Sequence, residues 1–151
     1  MDTDLSFRRA TSTDAGAVAT VFTAALKSMA FFPKLHSEEE DRAFVRAFIE
    51  DGETWIALHD GCVIGLACIE GDRLAHLYVD PAHHNCGTGT ALLERVKRER
   101  PLGFDLWTFK ANAGARRFYE RHGCIAVEFT DGSRNEEKLP DVRYAWRPST
   151  G

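Results

Sequence analysis

Apolar and polar positions change their spacing along this chain, and the changes mark where strands give way to helices. Leu5 to Ala10 alternates, which predicts a first strand. Val18, Val21, Phe22, Ala25 and Leu26 then recur at helical spacing behind a cap at Thr11 or Thr13. That helix must stop near Phe31-Phe32-Pro33, because proline disfavours helical geometry in the residue before it. Ser37 with Glu40 fits a capping box for a second helix that buries Phe44, Val45, Phe48 and Ile49 and ends near Asp51-Gly52. Trp55–His59 and Cys62–Ile69 flank Asp60-Gly61, a dipeptide suited to a type I′ hairpin, and Glu70-Gly71-Asp72 turns into a strand Arg73–Val79. Connections this short predict an antiparallel meander.

Beyond Asp80-Pro81 the period lengthens again. Gly87 to Arg100 predicts a helix with Leu92, Leu93 and Val96 inward, then come a strand Phe104–Phe109 and a helix Ala113–His122 closed by Gly123. Strand, helix, strand implies a right-handed crossover with parallel pairing. Ile125–Phe129 and Val142–Trp146 predict the last two strands, joined by a polar loop from Thr130 to Asp141 that is long for a hairpin and so a functional candidate. No repeat, linker or low-complexity segment interrupts the pattern, and residues 1–151 are expected to form one domain.

Composition narrows the function classes. A formal net charge of −4 argues against a broad nucleic-acid surface, which needs clustered Lys and Arg. No stretch reaches the roughly 18–20 apolar residues of a membrane span, and the acidic start Met1-Asp2-Thr3-Asp4 does not resemble a signal peptide. Cys62, Cys68, Cys86 and Cys124 lack CxxC spacing and are expected to be reduced thiols in a cytoplasmic protein. His83-His84-Asn85-Cys86 has ligand types but no second ligand pair, so no metal is expected.

The sharpest local signal is a strand ending at Val79 followed by Gly87-Thr88-Gly89 opening a helix. A helix start leaves N–H groups unpaired and partly positive, and glycines let a diphosphate approach them. The same glycines could serve chain geometry alone. A Walker loop would need Lys after the second glycine, where Thr90 stands, and a dinucleotide fingerprint would need Gly or Ala at Leu92. Leu77-Tyr78-Val79-Asp80-Pro81 through Gly87-Thr88-Gly89-Thr90-Ala91-Leu92-Leu93 resembles the acyl-CoA-binding motif of the GNAT superfamily of N-acetyltransferases. That motif reads Arg or Gln, two arbitrary residues, Gly, one residue, Gly or Ala; His84 replaces its first position. A second block, Leu106-Trp107-Thr108-Phe109 with Asn112 and Ala115-Arg116-Arg117-Phe118-Tyr119-Glu120-Arg121-His122-Gly123, is similar to the family's next motif, with Cys124 in place of the usual Phe. The run Asn135-Glu136-Glu137-Lys138-Leu139-Pro140-Asp141 with Tyr144 and Trp146 also resembles one bacterial branch of it.

The resemblance implies an α+β fold: three α-β-α layers around a mixed, mostly antiparallel sheet of about seven strands, with one parallel pair splayed at the cofactor site. It implies acetyl-CoA held by Leu77, Tyr78, Val79, His84, Asn85, Cys86, Gly87, Thr88, Gly89, Thr90, Asn112, Phe118 and Tyr119. It implies direct transfer to a primary amine of a small molecule or peptide, with a non-catalytic acyl-CoA sensor or scaffold as the alternative. A phenol stays protonated at pH 7, so Tyr119 is the candidate general acid, although the same ring could simply pack beside Phe118. The base is open between His76, placed by alternation on the face of Leu74 and Tyr78, Glu70, and the group His36, Glu39 and Glu40. Phe31, Phe32, His36, Glu40, Glu136 and Asp141 are the candidate acceptor contacts, aromatic and acidic as a cationic amine would require. Exposed edge strands would allow a homodimer.

Overall fold

A computed structural model describes residues 5–30, 32–33, 36–83 and 87–148. Seven strands and four helices follow in the order β1 (Leu5–Arg9), α1 (Ala15–Lys27), α2 (Glu38–Asp51), β2 (Glu53–His59), β3 (Cys62–Glu70), β4 (Arg73–Val79), α3 (Thr88–Glu99), β5 (Phe104–Phe109), α4 (Ala113–Arg121), β6 (Ile125–Thr130) and β7 (Asp141–Trp146), with 3-10 turns at Ser12–Asp14 and Pro81–His83. The sheet order is β1-β2-β3-β4-β5-β7-β6, antiparallel except for β4 beside β5. The last strand therefore slots between β5 and β6, an order that strand periodicity does not encode. β1 and β6 are the edges, and β6 leaves Ile125, Val127 and Phe129 exposed.

Local signals explain most boundaries. Ser37 and Glu40 form the expected capping box at α2, with Glu40 N–H donating to Ser37 Oγ at 3.1 Å and Ser37 N–H to Glu40 Oε1 at 2.8 Å. Asp60 and Gly61 both take positive φ, 50° and 80°, as the type I′ turn between β2 and β3 requires. The first helix starts later than its cap residues suggest. Asp14 accepts from Thr11 N–H at 2.8 Å, which holds Ser12–Asp14 in a tighter turn before α1 begins.

Two cores sandwich the sheet. Val18, Val21 and Phe22 of α1 and Val45, Phe48 and Ile49 of α2 pack on one face, against Ile56, Leu58, Leu66 and Cys68. Leu92, Leu93 and Val96 of α3 pack on the other face, with Ala67, Leu74, Leu106, Tyr119 and Tyr144. This is the expected three-layer α-β-α arrangement. Among the described residues no helix is long and apolar enough to cross a membrane, and no group of three His, Cys, Asp or Glu could hold a metal ion.

Two expectations drawn from periodicity fail. Phe44 is not buried with its neighbours on α2; it is 50% exposed. His76 does not share a face with Leu74. Cys68 pairs with His76 but Ile69 pairs with Leu74, so Ala75 is an extra residue, a β-bulge. One inserted residue reverses the alternation, leaving Leu74 under α3 and His76 among the aromatic rings of α1 and α2.

Gly65 on β3 sets how closely α3 approaches the sheet. A Cβ there would lie 3.0 Å from Leu92 Cδ1, 3.2 Å from the Thr88 methyl and 3.2 Å from the Tyr78 carbonyl oxygen. Gly65→Val is expected to destabilise the fold by about 1–3 kcal/mol through overpacking, read as a lower midpoint in urea unfolding with an unchanged slope.

Candidate active site

The parallel pairing of β4 with β5 is brief. Arg73 faces Asp105 and Leu74 faces Leu106, and there the ladder ends. Both strands continue, β4 to Val79 and β5 to Phe109, so the edge of β4 that faces β5 has no strand partner from Ala75 onward. A cavity of about 1090 Å³ occupies the gap. Leu74 to Tyr78 line one wall, while Trp107, Thr108, Phe109, Asn112, Ala115 and Tyr119 line the other.

Next to this gap the chain leaves β4 through Asp80, whose N–H donates to Ile64 O at 2.8 Å, and enters α3. Gly87 is the N-cap, with φ of 80°, a left-handed conformation that glycine adopts without a Cβ penalty. The first helical hydrogen bond runs from Ala91 N–H to Gly87 O at 3.0 Å. The N–H groups of Thr88, Gly89 and Thr90 precede it and carry the positive end of the helix dipole. Thr88 is 1% exposed, and its Oγ1 is buried without a hydrogen-bond partner among the described residues. Gly89 packs beside α4: a Cβ there would meet the Phe118 ring at 3.5 Å and Val79 Cγ2 at 3.8 Å. Unpaired donors, an orphaned hydroxyl and an open glycine cap fit a diphosphate. His84, Asn85 and Cys86, expected to complete this turn, lie outside the described residues, as does Phe31.

Tyr119 is positioned by its helix. Asn112 caps α4, its Oδ1 accepting from Ala115 N–H at 3.1 Å, and lines the cavity. Tyr144 on β7 donates to Glu120 at 2.6 Å and accepts from Arg116 Nε at 3.1 Å, pinning α4 to the sheet. Tyr119 is 8% exposed, and its hydroxyl hydrogen-bonds to no described residue. Burial, with Tyr78 nearby, raises its pKa well above that of an ordinary phenol. Tyr78 is raised to about 12, first by burial and then by the charge of Glu137.

The other expected residues separate into two groups. His76 lines the cavity but stacks on Phe48 at 4.6 Å, with Phe22 and Phe44 edge-on, and burial pushes its pKa down to about 4. That enclosure sets the imidazole among phenyl rings and disfavours its protonated form. Glu70 ends β3 away from the cavity and lines a different depression with Asp72, Arg73 and Asp105. Thr90 bonds to His122 Nε2 at 3.2 Å, linking α3 to the end of α4. Phe32, His36, Glu40, Glu136 and Asp141 do line the cavity. His36 reaches Glu136 at 3.0 Å, an ion pair that raises the His36 pKa and joins the α2 entrance to the β6–β7 loop. Glu40 is occupied by its capping box, which lowers its pKa, and Asp141 accepts from Thr130 and, at 3.2 Å, from Asn135. Sequence reasoning missed Phe44, Asp41 and Glu137, all on the cavity wall. The first two carry helical spacing that reads as core and as surface, and Glu137 is indistinguishable from Glu136 without the loop's fold.

Comparison with known proteins agrees with this geometry. Residues 50–123 match the family model of an acetyltransferase (GNAT) domain. The chain is 29% identical over 101 residues to the peptidyl-lysine N-acetyltransferase YiaC of Escherichia coli (strain K12), covering 66% of this chain and 67% of that protein. It is 31% identical over 80 residues to the mycothiol acetyltransferase of Amycolatopsis mediterranei (strain U-32), covering 49% of this chain but only 27% of that protein. The match thus spans about a quarter of the mycothiol enzyme's length. Among solved structures, a GCN5-related N-acetyltransferase from Rhodopseudomonas palustris superposes with a TM-score of 0.80 at 24% identity, covering 98% of each chain. YncA of Salmonella typhimurium, a putative acetyltransferase solved with its cofactor acetyl-CoA, gives a TM-score of 0.75 at 18% identity, covering 99% of this chain and 96% of that one. Both motif blocks fall inside the family match, and residues 50–123 are identified as a GNAT acetyltransferase domain.

Proposed function

We propose that this chain moves an acetyl group directly from acetyl-CoA to a primary amine. One observation carries the reading: the unpaired edge of β4 and the buried Tyr119 side chain meet at a single cavity, and the first turn of α3 packs at the end of the same strand, Gly89 beside Val79. The acetyl-CoA cofactor of YncA and the peptidyl-lysine activity of YiaC support the same donor and acceptor classes.

Acetyl-CoA, when bound, supplies an activated thioester open to attack by a neutral amine. Thr88, Gly89 and Thr90 hold its diphosphate through their backbone N–H groups, assisted by the dipole of α3. The open edge of β4 between Leu77 and Val79 offers backbone N–H groups to a carbonyl oxygen in the gap, where little water screens them. Asn112 orients the other wall by capping α4 through its oxygen. Tyr119 keeps its proton at Oη through neutral and mildly alkaline pH; as general acid it would pass that proton to the departing sulfur and be reprotonated by the proton that the attacking nitrogen loses.

Incubation with acetyl-CoA and a panel of amines is expected to release free CoA with at least one acceptor; saturable acetyl-CoA binding without any release would leave only a sensor. Tyr119→Phe is expected to lower kcat by about 10²–10⁴-fold with little change in acetyl-CoA affinity. Because the Tyr119 pKa lies above the ordinary ~10 for tyrosine, the wild-type kcat should not fall between about pH 8 and pH 10, and a fall over that range would remove Tyr119 as the acid. Gly89→Asp brings a negative charge into the first turn of α3, next to the backbone N–H groups assigned to the diphosphate. An acidic residue in a helix's first turn is itself favourable, so the melting temperature without ligand should be retained while acetyl-CoA affinity drops about tenfold or more in calorimetry.

A further inference from the structure

The acceptor half of the cavity has an unbalanced charge. Among the described residues, six carboxylates line it, on Glu38, Glu40, Asp41, Glu136, Glu137 and Asp141, against two basic side chains, Lys27 and His36. Both basic groups are engaged, Lys27 with Glu38 at 2.9 Å and His36 with Glu136 at 3.0 Å. Glu40 is tied into its capping box, Asp41 accepts from Thr23 Oγ1 at 2.9 Å, and Asp141 is held by Thr130 and Asn135. Glu137 differs from all of these. It is only partly exposed, makes no hydrogen bond or ion pair with a described residue, and acts electrostatically on the Tyr78 phenol. A part-buried carboxylate whose neighbouring cations are already used is complementary to a cation arriving from solvent.

The wall beside it is aromatic. Phe44 is half exposed, yet its ring packs against Phe22 at 5.8 Å, Phe48 at 5.6 Å and His76 at 5.4 Å. It lines the cavity, so that wall presents an aromatic surface to an incoming acceptor. His76 is neutral at pH 7 and adds no opposing charge. Apolar carbon and the face of a cation are both favoured on such rings. A carboxylate on the acceptor would instead meet the surplus of negative charge.

Resting on the acetyl-transfer reading above, we infer that the acceptor is a primary ammonium attached to an apolar chain or ring and lacking a carboxylate near the nitrogen, with Glu137 as its counter-ion and Phe44 against its carbon skeleton. Calorimetric titration at neutral pH tests this with two probes, 2-phenylethylamine and phenylalanine, which adds a carboxylate to the same skeleton. The wild type is expected to bind 2-phenylethylamine at least about tenfold more tightly than phenylalanine, and Glu137→Gln to weaken 2-phenylethylamine by about tenfold and narrow that gap. Glu137→Asp, which keeps the charge, should recover most of the affinity. Asp131→Asn removes the same charge from the same loop outside the cavity and should change binding less than about twofold. Circular dichroism checks that each variant is folded. Unchanged 2-phenylethylamine affinity in Glu137→Gln, equal losses in Glu137→Gln and Asp131→Asn, no wild-type binding, or a wild-type preference for phenylalanine would each overturn the inference. CoA release with other amines would then leave the acetyl-transfer reading intact. That reading fails separately, on absence of CoA release with every amine, whatever the binding experiment gives.

Discussion

The site depends on a parallel strand pair that is allowed to fail. β4 and β5 share a ladder only at Arg73–Asp105 and Leu74–Leu106, and each then follows a different neighbour, β3 on one side and β7 on the other. Buried backbone groups without partners are costly, so such a gap persists only when its flanks are firmly held. They are held here by a full antiparallel register of β4 with β3 and of β5 with β7, and by helices packed on both faces. The donors left over in the gap are then fixed in place before any ligand arrives, which is the condition for electrostatic stabilisation to be effective.

Other parts of the fold serve the same opening. Gly65 draws α3 against β3, so the helix N-terminus lies beside the end of β4. The Glu120–Tyr144–Arg116 network and the Asn112 cap hold α4 so that Tyr119 reaches the gap from the opposite wall. The α2 entrance and the β6–β7 loop meet through His36 and Glu136 across the acceptor side. Asn135 braces that loop from within, bonding the Leu139 carbonyl at 2.7 Å and Asp141 at 3.2 Å. With most of the cavity's charged groups committed to architecture in this way, Glu137 is left, among the described residues, as a carboxylate with no hydrogen bond or ion pair, acting only through its field on Tyr78.

The bulge at Ala75 divides the labour between the two faces of β4. It leaves Leu74 in the core under α3, where it helps to close the parallel pair, and turns His76 toward Phe22, Phe44 and Phe48. A histidine enclosed by phenyl rings loses solvation in its charged form and stays neutral. Its place in the cavity wall is therefore that of an uncharged aromatic surface.

Elements defined by contiguous residues were legible in the sequence: the capping box at Ser37 and Glu40, the Asp60-Gly61 turn, the period of α3, and the Gly87-Thr88-Gly89 start with its partner block at Asn112 and Tyr119. Each is governed by interactions within a few residues of chain, so spacing alone determines it. The tertiary structure decided what depends on distant partners. The place of β7 between β5 and β6, the two-residue length of the parallel ladder and the bulge that reverses His76 all follow from strand register. Phe44 leaves the core because its face of α2 borders a cavity, and Glu137 is distinguished from Glu136 by its partial burial and by which of them His36 reaches. Periodicity specifies which residues share a face; it carries no information about what that face will meet.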